Sequence, residues 1–338
     1  MAFVDELLEK AKAANKTIVL CEGEDKRVVD AAAKIVKDGI AKIILIGSDD
    51  DIKASGSSAD LSGVTVVDPA KDADADIYAE LLFKTREGKI NKKTGEPEYA
   101  DVAAAKAAIL KDHTMYGALI LKAGKADGFV SGACHSTANT LRPGLQVIKT
   151  APGFKTVSSC FIMVAPEGGN KYIPEGVCVF GDCAINIDPS EDELVEIAGE
   201  TAECAKIFGI DPKIAFLSYS TLGSGKGPDV EKMRNAANKA KAKYPSLPID
   251  GELQFDAAVS PRVARTKCPG SVVAGHANTF IFPDINSGNL GYKIAQRMGN
   301  FEAYGPILLG LNAPINDLSR GCNAIEVYSM AIITAALV

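Results

Sequence analysis

Three stretches of this chain carry residue types whose spacing suits chemistry. The first runs Ser131-Gly-Ala-Cys-His135-Ser136-Thr137 and on through Asn139 and Thr140 to Arg142-Pro143. Amides of a small-residue loop, two hydroxyls and an arginine five or six residues on can surround an anion such as phosphate. The competing reading is an ordinary strand-to-helix turn whose hydroxyls cap the helix. His135 is either an acid or base or a structural member of that turn. The second stretch, Asn316-Asp317-Leu-Ser319-Arg320-Gly-Cys322-Asn323-Ala-Ile-Glu326, gathers a hydroxyl, a guanidinium and a carboxylate at the start of a helix, where unbonded amides favour anions. Asn323 and Glu326 also have the spacing of a capping box, which is a structural reading of the same glutamate. Cys322 reads as a small packed side chain or as a thiol made acidic by the helix start. The third stretch, Gly223-Ser-Gly-Lys226-Gly227, fails as a phosphate-binding P-loop. Ser220 stands where that motif needs glycine, and Gly227 where it needs serine or threonine. It reads as a flexible loop before a helix.

Other site chemistries are poorly supported. Cys21-Glu22-Gly23-Glu24-Asp25, after the first apolar run, has one glycine where a dinucleotide fingerprint needs three. His113, His135 and His276 are far apart, outside any ligand-spaced cluster, so no structural zinc is expected.

The elements that must position these residues follow from periodicity. Val4, Leu7, Leu8 and Ala11 recur at helical spacing, and Thr17 to Cys21 is a short β-type run. Val28 to Val36 is helical with a stop at Gly39, and Lys42 to Ile46 is again a strand. The alternation continues through a strand at 64–67 and a helix over 77–84. A charged loop follows at 86–101, turning at Thr94-Gly95-Glu96-Pro97, then a helix over 102–123 and a strand at 128–130. Such alternation predicts an α/β fold with mainly parallel sheets covered on both faces. Thr150-Ala-Pro-Gly-Phe154 marks the crossing into a second α/β unit. Its strands are expected at 157–164, 177–180, 214–218 and 271–282. One helix is expected to start with Asp188 as its N-cap and Pro189 in first position, and to stop at Gly209. The last helix is expected over 323–337, after a loop holding Asn312, Pro314 and Gly321.

The 338 residues suffice for two domains, and 47% hydrophobic with 24% charged residues is a globular composition. A net charge of −6 argues against nucleic acid or an anionic membrane as partner, so an anionic ligand must meet a local basic pocket. Eight cysteines without CxxC or regular spacing suggest reduced thiols and a cytoplasmic location. The acidic N-terminus and the absence of a long apolar run point to a soluble protein without a signal peptide or membrane span.

Five strings together resemble the phosphate acetyltransferase family: Ser131 to Pro143, Asp182-Cys-Ala-Ile-Asn186, Asp250-Gly-Glu-Leu-Gln-Phe-Asp256, Phe282-Pro-Asp-Ile-Asn-Ser-Gly-Asn289 and Asn316 to Cys322. The likeness spans nearly the whole chain, and phosphate butyryltransferases share parts of it. It implies reversible acetyl transfer between acetyl phosphate and coenzyme A, with coenzyme A as substrate and no bound cofactor or metal. It also implies two α/β domains with an active-site cleft between them, an architecture similar to the isocitrate/isopropylmalate dehydrogenase-like fold. The first domain would comprise 1–152 plus a returning 308–338, and the second, 153–307, would dimerise the chain. By the resemblance Ser319 and Arg320 are catalytic, and Glu326 stands where the family has an aspartate base. Arg142, Ser136, Thr137, Arg86 and Cys322 would line the substrate. The extra methylene of Glu326 moves its carboxylate by about one carbon–carbon bond, which a different rotamer can absorb. A butyryl-preferring transferase and a non-catalytic acyl phosphate or coenzyme A binding protein are the alternative functions.

Overall fold

The computed structural model describes residues 2–338. Two compact units divide the chain. The first runs to Ala151 and resumes over Leu311–Val338, and the second is Pro152–Gly310.

The first unit is built on β1 (Thr17–Leu20), β2 (Lys42–Ile46), β3 (Thr65–Val67), β4 (Gly128–Ser131) and β11 (Ile315–Asp317), in the order β3-β2-β1-β4-β11 with every pair parallel. The central strands are unbroken apolar runs because both their faces are covered: Ile18, Val19, Leu20, Phe129 and Val130 are all buried. Its helices are α1 (Ala2–Ala14), α2 (Lys26–Lys37), α3 (Asp49–Ala54), α4 (Ala75–Arg86), α5 (Val102–Ile109), α6 (His113–Lys122), α7 (Thr137–Pro143) and α13 (Ala324–Ala336). In α2 the buried Val28, Val29, Ala32 and Ile35 form one face. α13 is apolar on almost every side, and Val327, Met330, Ile332, Ile333 and Ala335 are buried where it packs against α1, α2 and β4.

The strand order decides where chemistry can happen. From β1 the sheet grows one way through β2 and β3 and the other way through β4, so the connections leaving β1 and β4 diverge and open a crevice at their carboxyl ends. The loops after β1, β4 and β11 all leave from that end.

The single helix expected over 102–123 is two. Asp112 interrupts it and starts α6 by accepting the Met115 N–H at 2.9 Å. An aspartate that can bond the backbone of the next turn favours a cap over a helix interior.

The second unit holds β5 (Ser158–Val164), β6 (Val177–Gly181), β7 (Ile214–Leu217), β8 (Ile249–Leu253), β9 (Thr279–Ile281) and β10 (Glu302–Leu309). Their order is β10-β5-β6-β9-β7-β8, antiparallel across β10-β5-β6 and parallel in the rest. Its helices are α8 (Glu191–Ile207), α9 (Pro228–Lys243), α10 (Phe255–Val259), α11 (Pro261–Lys267) and α12 (Ile285–Gly299). Alternate strand residues feed two cores. Ala215, Leu217 and Phe280 join one with Phe161 and Phe180, while Phe216 and Ile281 join the other with Leu194, Ile197 and Met233.

Two expectations for this unit are corrected. The helix cap is Ser190, two residues later than Asp188. Its hydroxyl accepts the Glu193 N–H while the Glu193 carboxylate takes the Ser190 N–H at 2.8 Å, a reciprocal pair that Asp188 lacks. The strand expected over 271–282 is confined to Thr279–Ile281, because the Ser271 hydroxyl accepts the N–H groups of Val273 and Ala274 and turns the chain. No helix among the described residues is long and apolar enough to cross a membrane.

Candidate active site

The loop after β4 does form an anion cradle, and its anion is a side chain of the protein. Glu22, in the loop after β1, is 1% exposed. Its carboxylate accepts the N–H groups of Gly132 (3.1 Å), Ala133 (2.9 Å) and Cys134 (2.8 Å), and its Oε1 lies 2.8 Å from His135 Nδ1. Gly132 has φ +117°, and a Cβ there would meet Asp317 Oδ1 at 2.5 Å and Leu318 O at 2.6 Å, so only glycine fits. Of the two readings of the Ser131–Thr137 loop the anion cradle forms, but the N–H groups of Gly132, Ala133 and Cys134 are taken by the Glu22 carboxylate from the loop after β1.

The hydroxyls have separate fates. Thr137 Oγ1 donates to Asp317 Oδ2 at 2.6 Å, tying the start of α7 to the end of β11. Asp317 is buried, which with the nearby Glu22 charge raises its pKa above the ordinary value despite that bond. Ser136 is the exposed N-cap residue of α7 and makes no side-chain cap bond.

Arg27 joins the loops. All five of its N–H donors are used: Nε and one Nη2 donor on Asp25 (2.9 and 2.7 Å), the other Nη2 donor on Ala133 O (2.9 Å), and Nη1 on Arg320 O (2.9 Å) and Cys322 O (2.7 Å). One guanidinium therefore fixes the backbone of the Ser319–Cys322 turn against the loop that carries His135. The bond from Arg27, above all, holds Asp25 at about 2. Neither Arg27 nor Glu22 stands out in the sequence. The readable signal is Glu22-Gly23-Glu24-Asp25 directly after a strand, which by itself reads only as a turn.

On that clamped turn Ser319 and Arg320 are exposed. Ser319 Oγ accepts the Gly321 N–H at 3.3 Å, and its carbonyl accepts the Cys322 N–H at 2.8 Å. The capping box is real: Asn323 Oδ1 accepts the Glu326 N–H at 3.0 Å, and Glu326 Oε2 accepts the Asn323 N–H at 2.8 Å. The Glu326 side chain is exposed in the first turn of α13, close in sequence to Ser319 and Arg320. Cys322 is buried, and burial pushes its thiol up to about 11 although Arg27 opposes the shift. Of the two readings of Cys322, burial favours the small packed side chain, since desolvation outweighs the guanidinium.

The two other arginines differ in availability. Arg86, at the end of α4, is 15% exposed and paired through two bonds with Glu98 (2.7 and 2.8 Å). Arg142 is half exposed and reaches Asp112 at 3.1 Å through one nitrogen. It lines a polar cavity of about 420 Å³ together with Glu24, Lys111, Asp112, His113 and His135. The structure thus brings together Ser136, Thr137, Ser319, Arg320 and Cys322 through the loops after β4 and β11, and puts Arg142 and His135 on one cavity. Arg86 is neutralised by its pair with Glu98.

The chain is similar to several known proteins over nearly its whole length. The model of the family described as "Phosphate acetyl/butaryl transferase" matches residues 2–335. A "Phosphate acetyltransferase" of Acetivibrio thermocellus is 46% identical over 99% of this chain and 98% of its own length. A solved phosphotransacetylase from Streptococcus pyogenes superposes with a TM-score of 0.89 at 48% identity, covering 99% of this chain and 98% of the other. A 4-hydroxythreonine-4-phosphate dehydrogenase from Klebsiella pneumoniae shares the fold alone, with a TM-score of 0.53 at 10% identity over 96% of this chain and 98% of the other.

Proposed function

The chain belongs to the phosphate acetyl/butaryl transferase family, and from that premise we propose how its residues move an acetyl group between acetyl phosphate and coenzyme A. The overall reaction, acetyl-CoA + phosphate = CoA + acetyl phosphate, is an acyl transfer with attack at carbon. A thiol with an ordinary pKa near ~8.5 is mostly protonated at neutral pH, so a base must take its proton as the carbon–sulfur bond forms. Glu326 is that base, exposed at the start of α13 with one carboxylate oxygen held by the Asn323 N–H. Ser319 donates to the oxyanion of the tetrahedral species, an interaction worth a few kcal/mol (about 3) where preorganised. Arg320 and Arg142 grip the phosphoryl oxygens in forked geometry, with the Ser136 hydroxyl beside them. Thr137, committed to Asp317, positions that loop, and buried Cys322 packs beneath the turn. Arg86 serves a phosphate of coenzyme A by exchanging Glu98 for it.

The observation that carries this reading is the Arg27 clamp, which ties the turn that presents Ser319 and Arg320 to the loop that carries His135 while leaving both side chains exposed. The eight free cysteines support a reducing, cytoplasmic setting. A homodimer joined through the second unit completes the proposal.

The test is thioester formation from acetyl phosphate, with butyryl phosphate alongside as the slower donor. Arg320→Lys keeps the charge but not the fork and is expected to lose at least about 100-fold in kcat/KM. Glu326→Gln still accepts the Asn323 N–H, so it is expected to fold normally and to lose about 100-fold in kcat. Near-parent turnover in either variant removes that residue from the mechanism.

A further inference from the structure

Glu22 and His135 stand outside the roles given above, yet they form a close pair at 2.8 Å on a buried carboxylate. The Glu22 carboxylate can only accept, so the ring nitrogen 2.8 Å away, Nδ1, must donate to it. That fixes the role of Nδ1 and aims the remaining nitrogen, Nε2, away from the buried glutamate. His135 lines the polar cavity of about 420 Å³, and His135 Nε2 has no hydrogen-bond partner among the described residues. The charged groups facing it there are Glu24 from the loop after β1, Asp51 from α3, Lys111, Asp112 and His113 at the start of α6, and Arg142 from α7. A carboxylate behind Nδ1 and an open Nε2 in front is the arrangement by which imidazoles transfer protons. The Arg27 guanidinium bonds Ala133 O, two residues from His135, and Arg320 O on the catalytic turn, so the two loops are immediate neighbours.

Resting on the reading of the Ser319–Arg320 turn given above, we propose that His135 handles the proton on the phosphate side of the reaction, with Glu22 as its positioning residue. As coenzyme A attacks acetyl phosphate, the carbon–sulfur bond forms and the carbon–oxygen bond to phosphate breaks. The thiol proton goes to Glu326, and His135, entering this direction of the reaction with a proton on each ring nitrogen, gives the Nε2 proton to the departing phosphate oxygen, which is a poor leaving group as the trianion. Proton exchange with water returns Glu326 to the carboxylate and His135 to the imidazolium, so the net transfer is one proton from sulfur to phosphate. In the reverse direction Nε2 takes the proton from the attacking phosphate.

Three variants test this. His135→Asn keeps an N–H for Glu22 and removes Nε2, and His135→Gln keeps a donor near Nε2 that cannot give up its proton. Each is expected to lose about 50-fold or more in kcat in both directions, with KM for acetyl phosphate and coenzyme A within about threefold of the parent. His135→Ala is expected to regain at least about fivefold with added imidazole, a response that a purely structural histidine does not show. Turnover of His135→Asn or His135→Gln within about threefold of the parent, a loss confined to KM, or His135→Ala unresponsive to imidazole overturns the proposal. Arg320→Lys and Glu326→Gln, assayed beside them, separate failure of this proposal from failure of the turn's assignment. If those two lose activity while His135→Asn stays active, only the role of His135 falls; if those two stay active, the turn's assignment falls and takes this proposal with it.

Discussion

Two loops, one in each unit, lead from a strand toward a helix, contain glycine and close around a buried glutamate. In the first unit the loop after β4 wraps Glu22 with three amides and an imidazole. In the second, the loop between β7 and α9 wraps Glu252 with the Gly223 N–H at 2.7 Å and the Ser220 hydroxyl at 2.9 Å, and Arg234 closes the shell at 2.9 and 3.1 Å. Glu252 is matched by a full counter-charge. Among the described residues Glu22 bonds no arginine, only N–H dipoles and an imidazole ring. Both glycine-containing loops bind a carboxylate of the protein itself, and the surrounding partners decide whether that carboxylate sits in a closed ion pair or beside an imidazole.

The comparison is most severely tested by Glu22→Ala. Two buried N–H groups, the half-buried Cys134 N–H and His135 Nδ1 lose their acceptor at about 1–3 kcal/mol per unsatisfied group, part of it recovered by water. Unfolding in urea is expected to show a loss of about 3 kcal/mol, and kcat is expected to fall by about 100-fold or more because the His135 loop and the turn share one clamp. A stable variant with parent kinetics would make the first loop no different from a plain connector. Arg27→Lys comes next. An ammonium has three donors on one atom and cannot span Asp25, Ala133, Arg320 and Cys322, so kcat is expected to drop by about 10-fold or more with folding retained. An unchanged kcat would show that the turn holds itself.

The smallest effect sharpens the other side of the comparison. Burial alone would raise Glu252, but Arg234 and the Gly223 N–H outweigh it and hold the carboxyl at about 2, against an ordinary 4.5. A depressed folded-state value means that its stabilisation is complete above about pH 4.5 and is lost as the pH falls through about 2. Glu252→Gln is expected to be less stable than the parent at about pH 6, with the gap narrowing toward about pH 2. A gap that stays constant with pH would mean that the Glu252 charge contributes nothing.

Sequence reading reaches furthest where contacts are local. The box between Asn323 and Glu326 lies within one helical turn and is legible, as are β1, β2 and the apolar α13. It fails where two local signals compete. Asp112 looks like part of one long amphipathic run until its side chain caps α6, and Ser190 with Glu193 displaces Asp188 because a reciprocal pair outcompetes a single acceptor. β8, β10 and β11 escape the periodicity. Ile315–Asp317 is three residues long, and nothing but its pairing with β4 marks it as a strand.

By itself the sequence determined the α/β alternation, the family and the chemical types gathered around Ser131–Arg142 and Ser319–Glu326, since each is written in neighbouring residues. The tertiary structure alone decided that the cradle after β4 is filled by Glu22 from the loop after β1, that Arg27 clamps a turn 293 residues away, and that Arg86 is held in a two-bond pair while Arg142 stays half exposed with one bond. Those outcomes depend on which loops the strand order brings to one end of the sheet. Hydrogen bonds between such distant residues have no periodicity or spacing through which a linear sequence can announce them.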